Sequence, residues 1–140
     1  MREAGVLMPV SALPSSVGAG ELGEAAFHFI ELLKRNHVRI WQILPLNPVG
    51  YGNSPYQPYS SCAGDDIYIS LDTLAEEGLL KKSPMPFLDK CKKVDYERVR
   101  QYREPYLRAA FMAFVEQKGY EKPEYKEFAA QSWVYEYGVF

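Results

Sequence analysis

The sequence predicts an α/β fold with parallel strands, and three patterns near its N-terminus carry that prediction. Residues 4–9 form an apolar run without helical periodicity that ends at a proline, as is typical of a buried strand. Apolar residues then recur at helical spacing from Glu21 to about Asn36. Residues 38–46 are again β-branched and apolar, and Pro45 interrupts them. Because a crossover helix joins parallel strands, these patterns together predict one βαβ unit.

Helical patterns dominate the rest of the chain. Residues 67–70 suggest a brief extended segment, and a short helix is expected to follow. Asp72 is its predicted N-cap and Gly78 its predicted C-cap, since these residue types satisfy the free backbone groups at helix ends. The chain is therefore predicted to return to helix soon after its second strand.

The composition changes near residue 81, which suggests a boundary. Residues 81–93 are rich in Lys, Pro and Ser and predict a linker or exposed loop. Two longer helical patterns follow, over 96–117 and 124–140. We therefore expect the first β/α units at 1–80 and a linker with a helical subdomain at 81–140.

Composition excludes several classes of function. With 140 residues, 47% of them hydrophobic, the chain can build one core. The chain is too short for a complete eight-stranded barrel, which typically needs about 250 residues. The net charge of -2 argues against a nucleic-acid partner. The sequence has no apolar run of about 20 residues and no signal-peptide pattern, so we expect no membrane partner and a cytoplasmic location.

Neither metals nor other cofactors are predicted from the titratable residues. Cys62 and Cys91 lie far apart without a CxxC or Cys/His cluster, which argues against a disulfide or zinc site. His28 and His37 have no partner at metal or triad spacing and are expected at the surface. The pair at 65–66 lacks the further ligands of a calcium loop, so it is interpreted as the punctuation of a helix or strand.

The long loop at 47–66 is the strongest candidate for a binding site. Ligand sites of parallel α/β folds gather at the carboxyl ends of strands, which places them after Pro9 and after Pro45. Residues 51–60 concentrate tyrosines, amides and hydroxyls. A pyranose offers apolar faces to such rings and hydroxyls to such polar groups. The alternative is a proline-stiffened loop with its tyrosines packed beneath it.

Several stretches resemble the amylomaltases, which are 4-alpha-glucanotransferases. Residues 2–15 resemble the family's first barrel strand and loop, 18–23 its GIGDLG turn, and 41–46 its second strand. The most specific stretch is YGNSPYQ at 51–57, which matches the family's YG[DN]SPYQ motif. The chain departs from the family at 64–66, where Gly-Asp-Asp replaces the usual Gly-Asn-Pro.

This resemblance implies the N-terminal part of a (β/α)8 TIM barrel, namely its first βαβ unit, followed by the start of a mostly helical insertion. It also implies a parent enzyme of starch and glycogen metabolism that transfers α-1,4-glucan segments between maltooligosaccharides by a retaining mechanism. In the family the aspartate nucleophile, the glutamate acid/base and the aspartate stabiliser follow later strands. We therefore expect them beyond Phe140, assign no catalytic residue here, and expect the isolated fragment to be inactive.

The resemblance also implies roles for four residues of the loop. By its position in the motif, Tyr56 would line the sugar subsite at the bond being broken, and Ser54 and Gln57 would supply polar contacts. Tyr51 would be a platform for a longer glucan. The expected partner is a maltooligosaccharide or α-1,4-glucan, and unpaired strand edges are expected to make the fragment self-associate. Two other functions stay open, a stand-alone glucan-binding module and a structural or interaction domain without sugar binding.

Overall fold

The computed structural model describes residues 3–81 and 93–139, apart from the side chain of Tyr51. Its first half contains strand β1 (Gly5–Leu7), helix α1 (Glu24–Arg35) and strand β2 (Ile40–Gln42). The two strands pair in parallel, with Val6 opposite Trp41. The predicted strand, helix and parallel strand are therefore all present.

These elements are shorter than their sequence patterns predicted. Each strand has three residues, because Pro9 lacks a donor and starts a 3-10 turn while Pro45 limits β2. Helix α1 begins at Glu24 and not at Glu21, since Gly23 has extended backbone angles, with a φ of -133° and a ψ of -153°. The apolar runs therefore continue past the strands into the loops at their carboxyl ends.

The second half is helical, as predicted, with different boundaries. It contains α2 (Leu71–Glu76), α3 (Tyr96–Glu116), α4 (Pro123–Ala129) and α5 (Ser132–Val139). The single helix predicted over 124–140 is wrong, because the helix is interrupted between Ala129 and Ser132.

Two further details of the prediction are corrected near α2. The predicted extended segment at 67–70 is found only in its second half, since Ile67 and Tyr68 lie in a 3-10 turn over Asp66–Tyr68 while Ile69 and Ser70 are extended. The N-cap of α2 is Ser70 and not Asp72, because the Ser70 hydroxyl accepts the amide of Thr73. The C-cap position is taken by Glu77, and Gly78 follows it with a φ of 77°. The predicted linker at 81–93 lies almost entirely outside the described residues.

Two apolar clusters hold the described elements together. The first has buried Val10, Leu13 and Ala26 at its centre and packs between α1, β2 and the loop after β1. The second has buried Ala19, Ile67 and Val99 at its centre, and it places α3 against the loops that follow both strands. Tyr68 contacts both clusters and so joins them.

The two tryptophans are both half-buried. The ring of Trp41 meets that of Phe29 edge-on at 5.0 Å between centroids, and its Nε1 donates to the carbonyl of Met8 at 2.8 Å. The ring of Trp133 meets that of Phe128 at 5.6 Å. Within the described part of the chain, no helix is long and apolar enough to cross a lipid bilayer.

Candidate functional site

The loop after β2 is closed at its base by two hydrogen bonds. The amide of Asp65 donates to the carbonyl of Leu46 at 2.7 Å, and Nδ2 of Asn47 donates to the carbonyl of Ala63 at 2.9 Å. Further along, Val49 and Pro58 form an antiparallel bridge, and the amide of Tyr59 donates to the carbonyl of Pro48 at 3.0 Å. The two limbs of the loop are therefore hydrogen-bonded side by side, and we call residues 47–66 the tied loop.

A tight turn forms the tip of this loop. The segment Tyr51–Asn53 is a 3-10 turn in which Gly52 has a φ of 81° and Asn53 a φ of 52°. Both are left-handed conformations, which glycine and asparagine adopt more easily than other residues. The amide of Gln57 donates to the carbonyl of Ser54 at 3.1 Å, and its carbonyl accepts from Gly50 at 3.3 Å. Backbone hydrogen bonds thus hold the tip in one shape.

The structure brings three of the four predicted site residues to this tip. Tyr56 is 72% exposed and Gln57 is exposed, while Ser54, two residues before Tyr56, is half-buried. The predicted role of the Tyr51 side chain falls outside what the structure describes. Tyr59 is 67% exposed and lies across Gly50. Tyr56 and Tyr59 are therefore open to a ligand, which does not fit tyrosines packed beneath the loop.

The loops after β1 and β2 meet beside this tip, as expected for the carboxyl ends of parallel strands. They enclose a cavity of about 60 Å³, lined among others by Ser11, Leu46, Asn53, Pro55 and Tyr68. Since one water occupies about 30 Å³ of liquid, the cavity is too small for a sugar ring. It lies between the loops that follow the two strands and is bounded on one side by Asn53 and Pro55 of the turn.

An ion pair holds the exit of the loop, and the sequence did not predict it. The carboxylate of Asp65 is buried and accepts from Arg100 of α3 through both guanidinium Nη atoms, at 2.6 and 2.8 Å. Its Oδ1 also accepts the amide of Ile67 at 3.1 Å. The interpretation of 65–66 as helix punctuation is therefore incomplete, because Asp65 caps the 3-10 turn and also binds a distant helix.

The pKa values of the two neighbouring aspartates shift in opposite directions. Burial raises the pKa of Asp65, but the hydrogen bonds from Arg100 and Ile67 and the attraction to Arg100 outweigh it and leave the pKa below 3.8. Burial and the neighbouring charge of Asp65 raise the pKa of Asp66, although Arg100 lies 3.3 Å away. At neutral pH the Asp65 carboxylate is consequently ionised and paired.

Two more polar contacts join α3 to the loop after β1. The side chain of Arg103 is buried, and its Nη1 donates to Glu21 at 2.8 Å while its Nη2 donates to the carbonyl of Ile69. The hydroxyl of Tyr96 donates to Oγ of Ser11 at 3.3 Å. The residues of the Arg103–Glu21 pair lie 82 positions apart along the chain, and those of the Tyr96–Ser11 pair lie 85 apart. No local sequence motif therefore predicts these contacts.

The remaining candidates form no metal centre among residues 3–81 and 93–139, where no three His, Cys, Asp or Glu side chains are grouped to hold an ion. His28 and His37 are exposed, as predicted. Cys62 is an exposed free thiol, and Cys91 lies outside the described residues. Among the candidates from the sequence, the tied loop is therefore the one for which the structure gives the most support as a binding site.

Comparison with solved structures places this geometry in a known class. The chain is similar to the amylomaltase of Streptococcus agalactiae, solved in complex with acarbose, with a TM-score of 0.79 and 31% identity. The likeness covers 93% of this chain and 26% of that one. The chain thus matches a segment of an amylomaltase in its mixed helix and strand content.

Sequence comparison gives the family. A model described as 4-alpha-glucanotransferase matches residues 8–140, and the chain belongs to this family. It is 40% identical over 138 residues to the 4-alpha-glucanotransferase of Streptococcus pneumoniae, covering 95% of this chain and 27% of that protein. It is also 40% identical to that of Synechocystis sp., covering 99% of this chain and 28% of the relative. The chain thus spans about a quarter of the length of these relatives.

Proposed function

We propose that this chain is the N-terminal part of a 4-alpha-glucanotransferase. In this proposal, residues 1–80 supply the first βαβ unit of a (β/α)8 barrel, and residues 81–140 begin a mostly helical insertion. The parallel pairing of β1 with β2 and the near-complete coverage of this chain by much longer relatives support it. A cytoplasmic location stays a prediction of the sequence.

The tip of the loop at 47–66 is the proposed glucan-binding surface, and the exposure of Tyr56 is the observation that carries this assignment. Tyr56 is 72% exposed on a hydrogen-bonded turn, so its phenol ring can stack on the apolar face of a pyranose while the backbone that carries it is already ordered. Ser54 and Gln57 would exchange hydrogen bonds with the sugar hydroxyls. Tyr51 would extend the platform under a longer maltooligosaccharide.

The reaction proposed for the parent enzyme is a double displacement. A carboxylate attacks the anomeric carbon of an α-1,4-glucan, and an acid protonates the departing 4-oxygen as the glycosidic bond breaks. The 4-hydroxyl of a second glucan then attacks the glucosyl ester, giving its proton to the same acid/base group. The carboxylates that perform these steps are proposed to lie outside this chain, so it would bind a glucan without transferring it.

Calorimetric titration with maltoheptaose tests the binding surface. The 140-residue chain should bind the oligosaccharide, and Tyr56→Ala should weaken binding about tenfold or more through the loss of one stacked ring. Tyr135→Ala is the matched control, because Tyr135 is 76% exposed on α5, outside the loop. It should bind as the unmodified chain does.

A product assay on the same samples separates the rival functions. Binding without new oligosaccharides supports a part of the substrate cleft, and equal affinity of the chain and Tyr56→Ala would contradict the assigned surface. Transfer by the chain alone would contradict the placement of the catalytic carboxylates. Absence of any glucan binding would favour a structural or interaction domain.

A further inference from the structure

One side of α3 contacts the loops that follow both strands. Tyr96, Val99, Arg100 and Arg103 are spaced three, four and seven positions from the first, which places them on one face of the helix. Tyr96 bonds Ser11 after β1, and Arg100 bonds Asp65 after β2. Val99 is buried in the cluster with Ala19 and Ile67. The helix therefore adds polar and apolar contacts to two loops that also meet through the first apolar cluster and through the hydrogen bond from the amide of Leu22 to the carbonyl of Tyr68.

Among these contacts, the pair between Arg100 and Asp65 acts most directly on the tied loop. Asp65 closes the loop through its amide, which donates to Leu46, and starts the next turn through its carboxylate, which accepts from Ile67. The Asp65 side chain is 3% exposed and that of Arg100 is 34% exposed. A guanidinium that binds both carboxylate oxygens fixes the direction of the carboxylate as well as its distance.

We propose that Arg100 is a positioning residue that orients the loop at 47–66 through Asp65 and thereby sets the affinity of its tip for a glucan. Arg100 would not touch the sugar, since its guanidinium is occupied by Asp65 and Asp66 at the base of the loop. The effect on affinity rests on the proposed function. The effect on the order of the loop does not.

Amide hydrogen exchange without ligand tests the order of the loop. In Arg100→Met the amides of Asn53, Gln57, Tyr59 and Asp65 should exchange about tenfold faster or more, while those of α1 keep their rates. Methionine keeps the apolar stem of the arginine, so that the change removes mainly the charged fork. Arg108→Met is the matched control on the same helix, since Arg108 forms an exposed pair with Glu104 at 2.9 Å. It should leave the loop unchanged.

Conservative variants distinguish positioning from general support of the fold. Asp65→Asn keeps an oxygen that can accept from Ile67 but loses the charge that binds Arg100, and it carries the test if Arg100→Met does not fold. Arg100→Lys should restore the slow exchange in part, because it keeps the charge without the fork. If the two residues act through each other, Asp65→Asn combined with Arg100→Met should expose the loop no more than either change alone.

Maltoheptaose binding then separates this inference from the proposed function. Weaker binding by both single variants, with Arg108→Met unchanged, supports both. Faster loop exchange in a chain that never binds the sugar would reject the glucan role and retain the positioning role. Unchanged loop exchange in folded Arg100→Met and Asp65→Asn, or fully additive effects in the double variant, would overturn the inference.

Discussion

At the scale of single residues, two adjacent aspartates behave in opposite ways because their surroundings differ. Asp65 is buried against a guanidinium and a backbone amide, and its pKa is lowered. Asp66 keeps 62% of its side chain exposed, and the partial burial that remains, together with the charge of Asp65, raises its pKa. The groups that act on the pair include Arg100 and Arg103 from α3. One carboxylate therefore stabilises the fold by being ionised, and the other does not.

This difference predicts a pH dependence for the stability of the chain. Because the pKa of Asp65 is lowered by folding, its contribution is present above 3.8 and is lost as the pH falls through the lower value in the folded state. Asp65→Asn should cost on the order of 2 kcal/mol at pH 7, less than a fully buried pair because Arg100 is partly exposed. Urea titrations should show this cost shrinking as the pH falls below 3.8.

Asp66→Asn is the control for that experiment. The raised pKa of Asp66 means that its ionisation disfavours the folded state, so its contribution is lost as the pH rises through that pKa. The neutral variant should be as stable as the unmodified chain at pH 7, or slightly more stable. A cost of Asp65→Asn that stays constant from neutral to acid pH would contradict the assignment of the ion pair.

Some site residues were predictable from sequence and others were not, and the reason is their separation along the chain. Ser54, Tyr56 and Gln57 lie in one short motif, so its resemblance to the family's motif was sufficient to nominate them. Asp65 and Arg100 are 35 positions apart, and an aspartate before a turn has an ordinary explanation as a cap. Only the packing of α3 onto the loop shows that this carboxylate is buried and paired.

At the scale of elements, the sequence predicted types of structure better than their ends. Periodicity identified α3 almost to the residue, because its apolar spacing persists over 21 residues. The strands ended early because the prolines and the loop hydrogen bonds after them remove residues from the ladder. The start of α2 was misplaced because Ser70 and Asp72 both belong to residue types that cap helices.

The competition between those two caps gives a prediction. Ser70→Ala should lower the free energy of unfolding by about 1 kcal/mol, since it removes the acceptor for the amide of Thr73 at 3.3 Å. Asp72→Ala should cost only a few tenths, through its interaction with the helix dipole. Thermal unfolding of the two variants beside the unmodified chain measures the difference. Equal effects would show that the side chain of Ser70 is not the working cap.

At the scale of the whole molecule, the βαβ unit leaves much apolar surface uncovered. Leu7 is 58% exposed, Phe27 67% and Ile40 46%. Within the described residues the sheet has two strands, so each strand has one edge without a neighbour. Neighbouring strands and helices would cover these surfaces if the chain is part of a barrel, but a single βαβ unit could not by itself predict closure.

This surface predicts self-association of the isolated chain. Sedimentation velocity over a range of concentrations should show dimers or larger species whose population rises with concentration. Leu7→Lys should shift the distribution toward monomer, because it places a charge beside the exposed strands. Val139→Lys is the control, since Val139 is 72% exposed at the far end of α5. A monomer at every concentration would contradict the prediction.

The contacts between α3 and the two loops also have a consequence for the order in which the chain folds. The pairs that Tyr96 and Arg103 make with the loops span 85 and 82 positions, so their cost of loop closure is larger than that of the strand pairing or of the Arg100 pair, which spans 35. During synthesis the strands and α1 emerge before α3 exists. The early unit would therefore collapse first, and the loop at 47–66 would acquire its final shape only when a helix made much later docks against it.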